Sequence, residues 1–412
     1  MKENIRKTYK GLIVIIFLLC TIFNSNVHAN ENLLIDAKAS LIVEVNSDKI
    51  IHEDNAIKQN YPASVTKILT AILVIENCEL DEIATVSESA VLNVPLGYVV
   101  TPLFAGEKMK IEDLLYALML KSANDAAYVL AEHVAGSIDA FSEMMNKKAV
   151  ELGCKNTHFV NPNGIHDDNH YTTAYDMYLI AKYAMKNDTF RKIVSTYNYT
   201  LPATNLYLNN DRIMENTNDF INPKSKYYNE NIKGIKTGKT SQAGDCLITY
   251  IAKDGLDIIT VILGAETDKS RFSETNKMIE YTFNNYTLTK LHEKGDIIKT
   301  VEVKGATSKN LDVIISDEIE VINNIRLKPE DIQPEIVLSE KIVAPISEGQ
   351  EIGTIKYNVE GIEYNAKLLA ANNLERRTYY KEIMIIGAII ILFAIIILIK
   401  KKNYKKSRKH NK

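Results

Sequence analysis

The sequence predicts an α+β protein with three successive parts: a three-layer domain of helices and sheet, a small all-β sandwich domain and a C-terminal transmembrane helix. Three observations support this prediction. A block of helical periodicity lies between two strand-like stretches within residues 37–283. Short β-rich runs separated by turn residues fill residues 297–368. An uncharged apolar run, Ile383–Ile399, follows near the C-terminus.

Composition is that of a folded chain. The 412 residues are 46% hydrophobic and 25% charged, which fits about two or three domains of roughly 150 residues each. The net charge of -3 hides three segments: the first 29 residues sum to +3, the last 13 sum to +8, and about -14 is left on residues 30–399. The hydrophobic fraction excludes collagen-like and disordered chains. Because the net charge is close to neutral, nucleic acid is not an expected partner.

Both ends of the chain have the pattern of membrane-directed segments. Residues 1–29 combine a basic start, the apolar run Leu12–Phe23 and a small-residue ending at Ala29, which is typical of a signal peptide. An uncleaved anchor, or a lipoprotein with Cys20 as the lipidation site, is the alternative. Ile383–Ile399 would form about 26 Å of helix, and residues 400–412 carry eight Lys or Arg and no acid. The positive-inside rule places this tail in the cytoplasm and the intervening chain outside the cell, in a single-pass membrane protein.

The two folded domains are predicted over residues 30–290 and 291–372. In the first, alternating apolar residues predict a hairpin over residues 37–51. Helical spacing then predicts helices over 64–77, 114–120, 144–152 and 175–185, with a turn at 160–164. Strands are predicted over 248–252 and 258–264, followed by a helix over 272–283. In the second domain, strands are predicted over 298–303, 313–315 and 352–359.

Cysteine and histidine do not indicate a disulfide framework or a metal site. Beyond the leader, the cysteines Cys78, Cys154 and Cys246 are odd in number and lack a Cys-x-x-Cys pair, so we interpret them as mostly buried apolar thiols. His166 and His170 have a spacing used for zinc, but they lie in loop-type sequence after an Asn-Pro-Asn-Gly turn. No metal and no organic cofactor are predicted.

A possible nucleophile and its base lie at the start of the first predicted helix. Ser64 and Lys67 are three residues apart, which places their side chains on one helical face with Cβ atoms about 5–6 Å apart. A serine hydroxyl needs an adjacent base, and a lysine that is desolvated and flanked by other cations can serve. Alone, the Ser-x-x-Lys pair is a weak signal, because an N-cap serine before a solvated lysine has the same pattern.

Two further motifs strengthen this signal. Ser122-Ala123-Asn124 begins 58 residues after Ser64, and Lys236-Thr237-Gly238 begins 114 residues after Ser122. Separately, these are ordinary turn and edge-strand residues. In this order, the three motifs form the set found in penicillin-interacting serine enzymes.

With these motifs, and with stretches such as Asn161-Pro162-Asn163-Gly164, the chain resembles the low-molecular-mass penicillin-binding proteins. These are serine-type D-alanyl-D-alanine carboxypeptidases of the peptidase S11 family. The resemblance covers nearly all of the mature chain and implies a β-lactamase/transpeptidase-like catalytic domain. It also implies removal of the terminal D-Ala from peptidoglycan stem pentapeptides, and acylation and inhibition by β-lactams.

The resemblance assigns roles to residues of all three motifs. Ser64 would be the acylated nucleophile and Lys67 its general base, while Ser122 and Asn124 would relay the proton and hold the substrate amide. Lys236 and Thr237 would bind the terminal carboxylate, Gly238 would let the substrate backbone approach, and the N–H groups of Ser64 and Lys239 would form the oxyanion hole.

Other functions stay open from the residues alone. A β-lactamase or a peptidoglycan DD-endopeptidase would use the same chemistry, and a catalytically silent wall-binding protein belongs to a different class. The second motif is Ser-Ala-Asn where class A β-lactamases have Ser-Asp-Asn, and no Glu-x-x-Leu-Asn supplies their deacylating glutamate. We therefore expect a penicillin acyl-enzyme that persists. The oligomeric state is not predicted.

Overall fold

The computed structural model describes residues 33–410, with side chains up to residue 403. The predicted signal peptide, residues 1–29, lies outside the described residues, as do the last two residues of the predicted basic tail. The described chain forms two compact units. The first contains residues 33–43, 50–251 and 259–281, and the second contains residues 44–49, 252–258 and the chain from 282 onward. The domain division between residues 290 and 291 stays a prediction.

A five-stranded sheet forms the centre of the first unit, in the order β2-β1-β9-β8-β7. Its strands are β1 (Ala39–Glu44), β2 (Ile50–Asp54), β7 (Ile232–Thr240), β8 (Gly244–Lys253) and β9 (Leu256–Ala265). β8 and β9 are buried along most of their length, because both faces of the sheet are covered, and this accounts for their continuous apolar sequences. β7 is the last strand in the order, so it forms one edge of the sheet.

Eight helices and two short hairpins complete this part of the described chain. The helices are α1 (Lys67–Asn77), α2 (Glu88–Leu92), α3 (Ile111–Tyr116), α4 (Asn124–Ala135), α5 (Ile138–Glu151), α6 (Ala174–Ala184), α7 (Asp188–Val194) and α8 (Asp268–Asn285). The hairpins are β3 (Ile83–Thr85) with β4 (Lys108–Lys110) and β5 (Asn198–Leu201) with β6 (Arg212–Glu215). Each of the five predicted helices overlaps one of these helices. The short α2 and α7 were not predicted, and neither was the 12-residue α4.

Helix α1 runs through the interior of the helical layer. All of its residues from Lys67 to Val74 are buried, so it is a core helix and not a surface helix with one apolar face. It packs against α4 and α6. Burial of the Lys67 amine at the start of this helix costs free energy unless the amine has hydrogen-bond partners.

Residues 286–370 of the second unit form an all-β domain, as predicted. One sheet has the order β11-β12-β16-β15-β14, and a second pairs β10 with β13. The strands are β10 (Tyr286–His292), β11 (Ile297–Glu302), β12 (Asn310–Ile315), β13 (Ile319–Asn324), β14 (Pro334–Leu338), β15 (Glu351–Val359) and β16 (Ile362–Ala370). Alternate apolar residues, among them Val313, Val321, Ile355 and Leu368, form one buried core.

The last element is α9 (Tyr380–His410), which contains the predicted span Ile383–Ile399. The section Tyr380–Asn403 is long and apolar enough to cross a membrane, and its apolar side chains are exposed in the structure. Such exposure of a continuous apolar surface is unusual for a water-facing helix.

Candidate active site

Ser64 and Lys67 lie together at the N-terminal end of α1. Ser64 is part of a 3₁₀ turn, Ala63–Thr66, and Lys67 is the first α-helical residue, so the predicted single helix begins with a tighter turn. Ser64 is half-buried, whereas Lys67 is fully buried. The Lys67 Nζ atom donates to the Ser64 Oγ atom across 3.0 Å.

The other partners of Lys67 define the direction of its lone pair. Nζ also donates to Oδ1 of Asn124 at 2.9 Å and to the backbone oxygen of Asn163 at 2.6 Å. Both are acceptors only, whereas the Ser64 hydroxyl can also donate. When the amine is neutral, its two hydrogens therefore bind Asn124 and Asn163, and its lone pair faces the Ser64 hydroxyl.

The environment of Lys67 favours this neutral form. Burial, reinforced by the positive charge of Lys236, holds the pKa of Lys67 well below its ordinary value, while Asp125 acts in the opposite direction. A buried amine with a lowered pKa and a lone pair aimed at a hydroxyl has the properties of a general base.

The Asn161–Gly164 turn, to which the sequence assigned no site residue, carries the Asn163 carbonyl. It lies directly against the Ser64 turn: a Cβ atom on Gly164 would meet the Ala63 backbone oxygen at 1.8 Å. Gly164 also has a φ of +78°, which favours glycine. Oδ1 of Asn161 accepts from the Gly164 N–H at 2.8 Å and so closes the turn. Close approach of these two turns brings the carbonyl within reach of Lys67.

Ser122 and Asn124 lie at the junction between α3 and α4. After α3 the chain continues as a π turn, Ala117–Lys121, where the sequence predicted regular helix, and Ser122 ends it in the left-handed region at φ 64° and ψ 33°. Residues other than glycine are uncommon there, and π turns occur frequently at functional sites. Asn124 begins α4, and its Nδ2 atom donates to the Val99 carbonyl at 2.8 Å, which fixes its Oδ1 towards Lys67.

The third motif lies on the edge strand β7. Lys236 is buried and its Nζ donates to the Thr237 carbonyl at 3.0 Å, and the Thr237 hydroxyl is 2.6 Å from that of Thr217. A Cβ atom on Gly238 would be 3.0 Å from the backbone nitrogens of Ser64 and Val65, so β7 passes directly beside the nucleophile turn. The Lys239 side chain pairs with Asp245, with a separation of 2.9 Å.

Sequence reasoning missed a buried guanidinium beside this strand. Arg271, in α8, donates through Nη1 to the Gly238 carbonyl and to Asp245, each at 3.3 Å. Burial, and secondarily the charge of Arg271, lower the pKa of Lys236 to about 7. Arg271 lies 35 residues after Lys236 in an ordinary amphipathic helix, so no local pattern marks it.

Asp125 was also missed, although it follows Asn124 directly. Its Oδ1 accepts from the backbone N–H groups of Thr101 at 3.0 Å and Ala126 at 2.9 Å, and burial raises its pKa to about 6. These bonds hold the segment around Thr101 against the start of α4.

His170 has a structural role. Its Nδ1 accepts from the Val160 N–H at 3.1 Å, which leaves Nε2–H to donate to the Thr66 hydroxyl at 2.9 Å. Burial lowers the pKa of His170 to about 3, so the ring is neutral. Since both ring nitrogens are engaged inside the protein, His170 does not pair with His166 as a metal ligand.

Comparison with known proteins agrees with this architecture. The family model described as D-alanyl-D-alanine carboxypeptidase matches residues 25–267, and the model described as penicillin-binding protein 5, C-terminal domain, matches residues 286–376. The chain is similar to the D-alanyl-D-alanine carboxypeptidase DacF of Bacillus subtilis, with 31% identity over 88% of this chain and 91% of that protein.

Solved structures show the same relationship. Penicillin-binding protein 5 from Haemophilus influenzae is 27% identical and superposes with a TM-score of 0.66 over 83% of this chain and 98% of that one. The Streptomyces K15 DD-transpeptidase is 30% identical, with a TM-score of 0.57 over 61% of this chain and 98% of that one. The predicted fold class, a catalytic α+β domain followed by a β domain, is confirmed.

Proposed function

The chain belongs to the peptidase S11 family of D-alanyl-D-alanine carboxypeptidases, and we propose that it removes the terminal D-alanine of peptidoglycan stem peptides through an acyl-enzyme on Ser64. The observation that carries this assignment is the buried Lys67 amine, whose only partner able to donate back to it, among the three it contacts, is the Ser64 hydroxyl. Peptide substrates of this kind and β-lactams are the ligands that the family implies.

In the acylation step, Lys67 Nζ takes the proton of Ser64 as Oγ attacks the carbonyl carbon of the penultimate D-alanine. The resulting oxyanion accepts hydrogen bonds from the backbone N–H groups of Ser64 and Lys239. The short separation between Gly238 and the Ser64 backbone supports this pairing. Each such donor contributes roughly 10²–10³ in rate.

Release of D-alanine requires a proton on its nitrogen. Ser122, next to Asn124, relays the proton from Lys67 to that nitrogen as the C–N bond breaks, and Asn124 holds the substrate amide. A water molecule then attacks the acyl-enzyme, giving its proton to the neutral Lys67, and Ser64 is regenerated when that proton returns to Oγ. We assign the deacylating base to Lys67 because its lone pair already faces Oγ.

The substrate carboxylate is bound by Lys236 and Thr237 in this proposal. The substrate backbone extends along the free edge of β7, where Gly238 allows close approach. The pKa of Lys236, about 7, means that an arriving carboxylate stabilises its charged form. Arg271 adds a second buried positive charge under the same strand.

Release of D-alanine from a diacyl-D-Ala-D-Ala peptide tests this function. We expect release by the wild type, loss of release in Ser64→Ala, and covalent labelling of Ser64 by penicillin in a mass spectrum. Rapid loss of a bound fluorescent penicillin would indicate a β-lactamase, and cleavage of a dimeric muropeptide would indicate an endopeptidase. Release of D-alanine by Ser64→Ala at the wild-type rate would contradict the proposal.

We also propose that α9 anchors the enzyme in the membrane. The apolar section Tyr380–Asn403 has 24 residues, or about 36 Å of helix. The basic residues from Lys400 onward support a cytoplasmic tail, with the catalytic unit outside the cell. An epitope tag at the C-terminus should resist external protease in intact protoplasts. Cleavage of that tag from outside would contradict the proposed topology.

A further inference from the structure

A second cluster of reactive side chains lies at the far ends of the two helices that begin with Lys67 and Asn124. Cys78 directly follows α1, and His133 lies in the last turn of α4. Glu82 lies just before β3. The thiol sulfur of Cys78, one carboxylate oxygen of Glu82 and one imidazole nitrogen of His133 all lie within 4.8 Å of one another.

Glu82 and His133 contact each other. The Oε2 atom of Glu82 lies 3.2 Å from Nε2 of His133, and its Oε1 accepts from the Glu79 backbone N–H at 2.5 Å. Ligating carboxylates are commonly held by a hydrogen bond to their other oxygen. A separation near 3.2 Å also matches the edge of a zinc tetrahedron, which is about 3.3 Å for bonds of roughly 2.0–2.1 Å.

Cys78 supplies the third group. It is a free thiol, half-buried, and its backbone N–H donates to the Val74 carbonyl at 3.0 Å, so the end of α1 fixes its position. A thiolate, an imidazole and a carboxylate together suit Zn²⁺, whereas Mg²⁺ and Ca²⁺ prefer oxygen ligands throughout.

We propose that Cys78, Glu82 and His133 bind a zinc ion, with water in the fourth coordination position. On binding, the Cys78 thiol loses its proton to solvent and His133 coordinates as the neutral imidazole. The thiolate and the carboxylate then offset the charge of the ion. The site lies outside the catalytic machinery.

The ion would tie the C-terminal ends of α1 and α4 together. These helices pack against each other, and their N-terminal residues are already joined by the 2.9 Å bond between Lys67 and Asn124. A ligand that binds only the folded state raises its stability in proportion to the logarithm of ligand concentration over Kd. Zinc therefore stabilises the catalytic unit without changing the rate of D-alanine release.

Titration of the full-length protein in detergent, under a thiol-free reductant, tests the site with Co²⁺ and then Zn²⁺. We expect one equivalent of Co²⁺ to produce a thiolate-to-cobalt charge-transfer band that Zn²⁺ removes, and Zn²⁺ to raise the unfolding temperature. Cys78→Ser abolishes the band, and His133→Gln weakens binding at least ~10-fold. Because His133 is exposed, His133→Gln keeps the test valid if Cys78→Ser fails to fold.

Cys154→Ser is the matched control, since Cys154 is another half-buried free thiol of the same unit. It should leave both the cobalt band and the zinc-induced stabilisation unchanged. The proposal is overturned if the wild type shows no thiolate-to-cobalt band, or if His133→Gln binds Co²⁺ as tightly as the wild type. Release of D-alanine, measured in parallel, separates failure of this site from failure of the proposed function.

Discussion

The two units of the molecule differ most in what they bury. The first buries ionisable side chains around its reactive centre, among them Lys67, Lys236, Asp125 and Arg271. The second unit buries fewer: over its described residues 286–403 Asn323 is the single buried polar side chain, and its segment 44–49 adds Glu44 and Lys49. Removal of a charge from water is costly unless it is paired or neutralised. Buried ionisable groups are therefore concentrated in the unit that contains the candidate active site.

The first prediction concerns a substitution that removes the Lys67 amine, the proposed general base. Lys67→Met fills a similar volume without an amine, and we expect the rate of acylation by a fluorescent penicillin to fall roughly 10²–10⁴-fold because the general base is lost. Stability in a urea titration should change much less than activity. Lys58→Met, at an exposed lysine, is the control. Acylation at the wild-type rate would remove Lys67 from the mechanism.

The second prediction concerns the apolar core of the second unit. Leu368 is fully buried there, so Leu368→Ala should lower the free energy of unfolding of that unit by about 2–5 kcal/mol. At temperatures where the unit stays folded, penicillin acylation should not change. Val337→Ala, at an exposed position in the same unit, should have little effect on either measurement. A large loss of acylation in Leu368→Ala would show that the β domain takes part in the reaction.

The third prediction uses pH to test a buried carboxyl of the first unit. Burial raises the pKa of Asp125 to about 6, so the folded state holds a proton that the unfolded state has lost between pH ~4 and ~6. The contribution of Asp125 to stability is therefore full below pH ~4 and falls as pH rises to ~6, by up to about 2–3 kcal/mol.

Asp125→Asn keeps an acceptor oxygen for the Thr101 and Ala126 N–H groups but cannot ionise. In urea titrations from pH 4 to 7, the difference in stability between the variant and the wild type should grow in favour of the variant as pH rises. A difference that does not vary with pH would show that Asp125 is ionised at its ordinary pKa.

Whether an element of this fold could be predicted depends on whether its own sequence shows a clear apolar pattern. Long periodic segments such as α1, β8 and β9 were predicted, because their apolar pattern reflects burial along the whole element. The five-residue α2 and the seven-residue α7 were not, because they are too short to show a period. The 12-residue α4 was also missed, although it is long enough to show one. The π turn before Ser122 has the same apolar spacing as a regular helix, so the sequence could not distinguish them.

In the candidate active site too, residues without a local sequence pattern were missed. The three motifs and Lys239 give eight candidate site residues, but Asn163, Asp125 and Arg271 were not assigned a role. Their contributions arise from contacts between distant parts of the chain, such as the close approach of the Gly164 turn to Ala63. Such contacts depend on packing, which single-residue patterns do not encode.

The smallest effect is expected where charge lies on the surface of the second unit. Lys367 and Glu351 form an ion pair at 2.7 Å, but both side chains are at least half exposed. Water and salt screen such a pair, and ordering two long side chains costs entropy. Lys367→Ala should therefore leave the urea midpoint unchanged within error, and added salt should make no difference between the variant and the wild type. A clear loss of stability would mean that surface charge, and not only buried charge, distinguishes the two units.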